Sequence, residues 1–154
     1  MYRSIHDAED EYFDVITLFH VFEHLLEPLD ALRVIHSKMV GGGRLVIEVP
    51  HANDFLITSL NLDAFKAFTF WSEHLILHTR ESLEILLREA GFLDVCETAH
   101  QRYPLANHLY WLAEGKLGGH KEWPFLVNTE LDSAYQSKLA QLDNTDTLIV
   151  AARR

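Results

Sequence analysis

Three ionisable side chains lie close together near the start of the sequence. His20, Glu23 and His24 have the spacing i, i+3 and i+4, and residues with this spacing share one face if the segment is helical. Imidazole and carboxylate groups on one face can hold a divalent metal ion. The alternative is that Glu23 and His24 cap the segment or pair locally. From the sequence we therefore assign no metal ligand.

Further histidines are candidates for proton transfer. His51 follows Pro50 at the end of a predicted strand, and His74 and His78 precede a predicted helix. The unperturbed imidazole pKa is near ~6.5, so such a group can act as a general base on a hydroxyl or an amine. We predict His51 and His74 as catalytic residues. The alternative for each is a half-buried histidine that binds the backbone.

Alternating strands and helices would position these side chains. Strands are predicted at 14–19, 44–49, 92–99 and 147–152, from short apolar runs. Helices are predicted from Pro28 to a stop at Gly41–Gly43, from an N-cap at Thr79 to a stop at Gly91, over 107–116 to a stop near Gly118–Gly119, and around 131–142. Crossover helices between the first three strands predict parallel pairing, and the last strand is expected to be antiparallel.

Composition limits the class of protein. The chain has 154 residues, of which 48% are hydrophobic and 23% charged, and this is typical of one globular domain with a core. The net charge of -10 repels a phosphate backbone, so we predict no nucleic-acid partner. The single Cys96 excludes cysteine-based zinc clusters. No apolar run approaches ~20 residues and no signal segment is visible, so we expect a cytoplasmic protein without a membrane contact.

The turn after the first strand is the predicted ligand edge. Phe19, His20 and Val21 follow the carboxyl end of strand 14–19, and open α/β sheets bind ligands beyond those ends. The alternative is an ordinary strand-to-helix turn with a packed Phe.

The order of several motifs resembles a known family. The stretch 13–24 holds D-V-I and V-x-E-H, Glu27-Pro28 follows, and 42–50 reads G-G-R-L-V-I-E-V-P. The match continues with His74, Thr79 and the stretch 82–92, which ends in A-G-F. Together these resemble the class I S-adenosylmethionine-dependent methyltransferases. The resemblance implies an α/β fold with a partial Rossmann-like sheet, mostly parallel with an antiparallel last strand, and helices on both faces.

The resemblance also implies a cofactor site. Phe19, His20 and Val21 would line the methionine and adenosine side of S-adenosylmethionine, and Asp7 in a D-A-E segment would receive the adenine amino group. The family's glycine-rich turn is missing, although close backbone approach to the cofactor needs such glycines. We therefore expect residues 1–154 to form a single incomplete domain, the C-terminal part of the catalytic domain, with acceptor-side inserts at 52–78 and 103–145.

The expected function is methyl transfer to a small-molecule or sugar-type acceptor. The alternative is a non-catalytic interaction module. Without the family's earlier strands, strand 14–19 would be an apolar, unpaired edge, which favours association. The expected partner is then a second copy of the chain or a separate N-terminal half.

Overall fold

The computed structural model describes residues 4–71 and 73–154, which form four strands and seven helices with three short 3-10 turns. The strands are β1 (Phe13–Phe19), β2 (Met39–Pro50), β3 (Leu93–His100) and β4 (Thr147–Arg153). The helices are α1 (Pro28–Lys38), α2 (Phe55–Thr58), α3 (Asp63–Trp71), α4 (Arg80–Glu89), α5 (Leu105–Glu114), α6 (Gly119–Glu122) and α7 (Thr129–Gln141). The 3-10 turns are Ile5–Asp7, Phe22–His24 and Pro124–Leu126.

The sheet is mixed, with the strand order β1-β2-β4-β3. Only β1 and β2 pair in parallel, and the other neighbours are antiparallel. Because β4 is antiparallel to both of its neighbours, β1, β2 and β3 run in the same direction, and the predicted antiparallel last strand is confirmed. The expected parallel pairing of β2 with β3 is wrong, because β4 lies between them. Its side chains Leu148, Val150 and Ala152 are buried, so this interior position gives β4 apolar contacts that an edge would not.

The glycines at 41–43 do not stop a helix, contrary to the prediction. Helix α1 already ends at Lys38, and β2 begins at Met39 in register with Phe13 of β1. Gly43 lies so close to β1 that an added Cβ would stand 3.1 Å from the Asp14 carbonyl oxygen. The register between β1 and β2 shifts across the glycines, from Phe13–Met39 to Val15–Arg44, and the Gly42 amide and Gly43 carbonyl bond the backbone of Arg154 instead. The absence of a side chain at Gly43 permits its close approach to β1.

The predicted helix after Thr79 is confirmed, and the following helix, α5, ends two residues before its predicted end. The Thr79 side chain accepts from the Ser82 amide in a capping box, and Gly91 after α4 has φ 96°. Helix α5 ends earlier than predicted, because Gly115 takes the left-handed C-cap with φ 65°. Both helices end where a glycine adopts a conformation that costs it little.

The chain forms two compact units. The first comprises Met1–Val49, His78–Thr98 and Leu148–Arg154, and the second Pro50–Leu77 and Ala99–Thr147. In the first unit α1 and α4 pack against each other, and its core includes Phe22, Leu32, Leu45, Ile47, Leu83, Leu87, Phe92 and Leu148. Among the described residues, no helix is both long and apolar enough to cross a membrane.

Candidate functional site

The carboxyl end of β1 turns sharply. Phe19 pairs with Glu48 of β2, and the His20 amide still donates to the Glu48 carbonyl at 2.9 Å. His20 then adopts a left-handed φ of 52°, which is uncommon for a residue with a Cβ. The chain continues into the single 3-10 turn Phe22–His24, which buries Phe22 and Glu23. His20, Glu23 and His24 therefore do not share one face of a regular α-helix.

Carboxylate and imidazole side chains alternate at this turn. Glu48 Oε1 is 3.1 Å from His20 Nε2, and Glu23 Oε1 is 3.4 Å from His20 Nδ1. His24 Nε2 lies 3.9 Å from the same Glu23 oxygen. The Glu23 side chain is fully buried, and a buried carboxylate needs nearby positive charge or protonation. Glu23 thus contacts both histidines of the i, i+3 and i+4 set.

The predicted cofactor residues differ in their surroundings. Phe19 is 55% exposed and Val21 43% exposed, so two apolar side chains face solvent beside the turn. Asp7 lies in the turn Ile5–Asp7, where its carboxylate accepts from the Ser4 amide at 3.1 Å. This places Asp7 in a local capping box. Asp7 is exposed as well and His20 is partly buried, so Phe19 and Val21 supply the exposed apolar surface among the four predicted residues.

His51 is buried in the second unit. Its Nδ1 lies 3.1 Å from the Thr145 carbonyl oxygen, to which it donates, and its Nε2 is 3.7 Å from Asp143 Oδ2. Asn53 donates to the same Asp143 oxygen at 3.2 Å. His74 lies half-buried in the segment between α3 and α4. The bond to Thr145 sets the tautomer of neutral His51, because a carbonyl requires a donor nitrogen.

His78 is a core residue of the first unit. Its ring lies 5.0 Å from the Phe22 ring, and Ser82 Oγ is 3.4 Å from its Nδ1. Among the described residues, its Nε2 has no hydrogen-bond partner. Burial lowers the pKa of His78 to about 4, because the apolar surroundings disfavour the charged ring. His78 is therefore neutral at pH 7.

The sequence reasoning missed a buried polar cluster in the second unit. Gln101 donates through Nε2 to Asp146 at 2.8 Å and lies 3.2 Å from His108 Nε2, while its Oε1 accepts from the Asp146 amide. His108 Nδ1 lies 2.8 Å from the Tyr135 hydroxyl. Gln101 Nε2 also donates to the Tyr103 carbonyl at 2.9 Å, so its two protons are directed at that carbonyl and at Asp146. The His108 ring lies beside this amide nitrogen and shares one hydrogen bond with the Tyr135 hydroxyl at Nδ1.

Burial shifts the pKa of the ionisable groups in this cluster. It lowers the pKa of His108 to about 4 and raises that of Asp146. Asp54 caps α2 by accepting from the Leu56 amide at 2.6 Å. Burial, with a contribution from the charge of Asp146, raises the pKa of Asp54 to about 7. A signal was present, because Asn107 and His108 interrupt the apolar pattern of a predicted helix. Only the fold shows that they are buried.

Aromatic side chains of the second unit pack on one another. Trp111 is buried and lies 5.1 Å from the Phe65 ring and 5.3 Å from the Phe68 ring. Trp111 is therefore part of the packed interior of the second unit.

Comparison with known proteins identifies the family. The sequence profile of a family described as a methyltransferase domain matches residues 1–97, which is more than half of the chain. The chain belongs to this methyltransferase domain family. No curated protein has a matching sequence.

Solved structures of methyltransferases share this fold. An S-adenosylmethionine-dependent methyltransferase from Archaeoglobus fulgidus is 20% identical, with a TM-score of 0.61 over 97% of this chain and 63% of its own. One from Mesorhizobium loti is 15% identical, with a TM-score of 0.55 over 96% and 64%. Phosphoethanolamine N-methyltransferase 2 from Haemonchus contortus is 16% identical, with a TM-score of 0.53 over 96% and 34%. The methyltransferase chain thus spans less than two thirds of the length of these structures.

Proposed function

We propose that this chain supplies the C-terminal half of the catalytic domain of an S-adenosylmethionine-dependent methyltransferase that acts on a small-molecule or sugar-type acceptor. The observation that carries the proposal is the turn after β1. It lies at the carboxyl end of a parallel strand, where α/β sheets bind ligands, and it exposes the side chains of Phe19 and Val21.

The residues present fit one wall of a cofactor site. S-adenosylmethionine supplies a methyl group on a positively charged sulfur. Phe19 and Val21 offer apolar surface to its methionine and adenosine parts, and an aromatic face also attracts a nearby cation. Asp7 offers a carboxylate to the adenine amino group. The wall that needs a glycine-rich turn has no counterpart in this sequence, so the proposal includes a complementary N-terminal half.

The proposed role of the second unit is to hold the acceptor. His51 and His74 are the candidates to take a proton from an acceptor hydroxyl or amine. In His51, donation from Nδ1 to Thr145 makes Nε2 the atom that takes the proton, and Asp143 at 3.7 Å would stabilise the charged ring. Alignment of donor and acceptor supplies much of the rate in any case.

Titration calorimetry with S-adenosylhomocysteine tests the cofactor site. We expect micromolar binding once the complementary N-terminal half is added, and Phe19→Ala weakens it by about tenfold because an exposed aromatic contact is lost. Phe125→Ala is the matched control, since Phe125 is also exposed and lies in the second unit. No binding up to millimolar ligand, with or without an added N-terminal half, would contradict the proposal.

A second candidate function is a non-catalytic interaction module. Strand β1 is at the edge of the sheet, and its face with Val15, Thr17 and Phe19 is exposed. An apolar edge strand pairs readily with another chain. If a second copy binds there, light scattering at tens of micromolar gives a dimer mass and Val15→Lys gives a monomer. A monomer for the unmodified chain would rule out self-association.

A further inference from the structure

The backbone of His20 needs support from its surroundings. Its φ of 52° lies in the left-handed region, which is unfavourable for residues other than glycine. The residue nevertheless follows a regular strand, because Phe19 and the His20 amide still pair with Glu48 of β2. Such a conformation persists where tertiary contacts determine it, and it is typical of functional sites.

Two carboxylates lie beside the His20 ring. Glu48 Oε1 lies 3.1 Å from Nε2 and Glu23 Oε1 lies 3.4 Å from Nδ1, so each ring nitrogen faces an acidic oxygen. The two acids come from different elements, since Glu48 is on β2 and Glu23 is in the turn Phe22–His24. The ring therefore links the end of β1 to both β2 and the turn.

We propose that Glu48 is a positioning residue for the cofactor site. Its carboxylate holds the His20 ring, and through the ring it keeps the backbone of Phe19–Val21 in the left-handed turn that exposes Phe19 and Val21. The role in binding rests on the proposed function above. The role in shaping the turn rests only on the contacts of His20. Glu48 is the member to alter, because its side chain is 25% exposed whereas that of Glu23 is fully buried.

A double-mutant cycle with His20→Gly tests this role. Glycine adopts a positive φ without steric cost, so the turn no longer needs the clamp in that background. In the unmodified chain, Glu48→Ala shifts the backbone amide resonances of residues 19–24 in ¹H–¹⁵N spectra. It also weakens S-adenosylhomocysteine binding by about tenfold. This factor is the change in affinity that corresponds to the free-energy cost of holding one residue in the left-handed conformation. In the His20→Gly background, Glu48→Ala changes neither quantity.

The cycle separates positioning from a general loss of strand stability. Equal changes in both backgrounds would mean that Glu48 acts independently of His20, and this would overturn the inference. Asp14→Asn is the control, because Asp14 is an exposed carboxylate on β1, and it leaves the resonances of the turn in place. If the unmodified chain binds no S-adenosylhomocysteine, with or without an added N-terminal half, the proposed function fails. The resonance shifts, which need no ligand, still decide whether Glu48 shapes the turn.

Discussion

Replacing Asp54 by Asn removes a specific pH dependence from the second unit. Asp54 is buried, and its pKa is raised from 3.8 to about 7 by burial, with Asp146 contributing. In the unfolded chain the carboxyl group ionises near its ordinary pKa. Between these two values the unfolded state releases a proton that the folded state keeps. The stability from Asp54 is therefore fully present below pH 4 and falls as the pH rises towards 7.

The size of the effect follows from the shift. At about 1.4 kcal/mol per unit, the whole change is roughly 4 kcal/mol, of which about 3 kcal/mol falls between pH 5 and pH 8. Asn is uncharged and its side-chain oxygen can still accept from the Leu56 amide, so the helix cap is kept. We expect Asp54→Asn to gain about 3 kcal/mol relative to the natural chain between pH 5 and pH 8.

Urea unfolding followed by tryptophan fluorescence measures this difference. All three tryptophans, at 71, 111 and 123, belong to the second unit, so the signal reports on the unit that contains Asp54. Comparing variant with natural chain at each pH cancels the opposite contribution of His108, whose lowered pKa makes stability fall on acidification. Asp63→Asn, at an exposed position in the first turn of α3, is the matched control. A difference that stays constant from pH 5 to pH 8 would refute the reasoning.

Three further predictions concern the core. His78→Phe removes a buried imidazole whose pKa is about 4. The natural chain loses roughly 3 kcal/mol of stability between pH 7 and pH 4 because of this group, and the variant should not show that loss. Denaturation curves that respond to acid as the natural chain does would count against it. Tyr135→Phe removes the hydrogen bond between the Tyr135 hydroxyl and His108 Nδ1 and costs about 2 kcal/mol in urea unfolding. An unchanged midpoint would show that this bond does not stabilise the fold. Thr79→Ala removes the capping contact to the Ser82 amide and costs about 1 kcal/mol, and Thr79→Ser, which keeps the hydroxyl, should restore most of it.

The family match and the share of the related structures that this chain spans both bear on the cofactor-binding experiment. The profile match covers residues 1–97, while the chain spans 63% of the Archaeoglobus structure. The N-terminal half proposed above, supplied in trans, therefore belongs in the binding experiment beside the chain alone.

The sequence by itself determined where several helices begin and end, because the residues that start and stop a helix act on their neighbours. Pro28 begins α1, Thr79 caps α4 and Gly91 ends it, because each acts within one helical turn. The apolar run before Phe19 likewise predicted β1. The ordered motifs indicated the family because they combine such local signals in one sequence.

Only the tertiary structure decided which elements pair and which polar groups are buried. Strand β4 lies between β2 and β3, and Gly41–Gly43 continue β2, because backbone pairing joins segments far apart in sequence. The burial of Asp54 and His108, and the placement of His20 between Glu23 and Glu48, depend on such long-range contacts. Spacing along the chain carries no direct record of them, since a side chain's environment is set by whichever segments the fold brings against it.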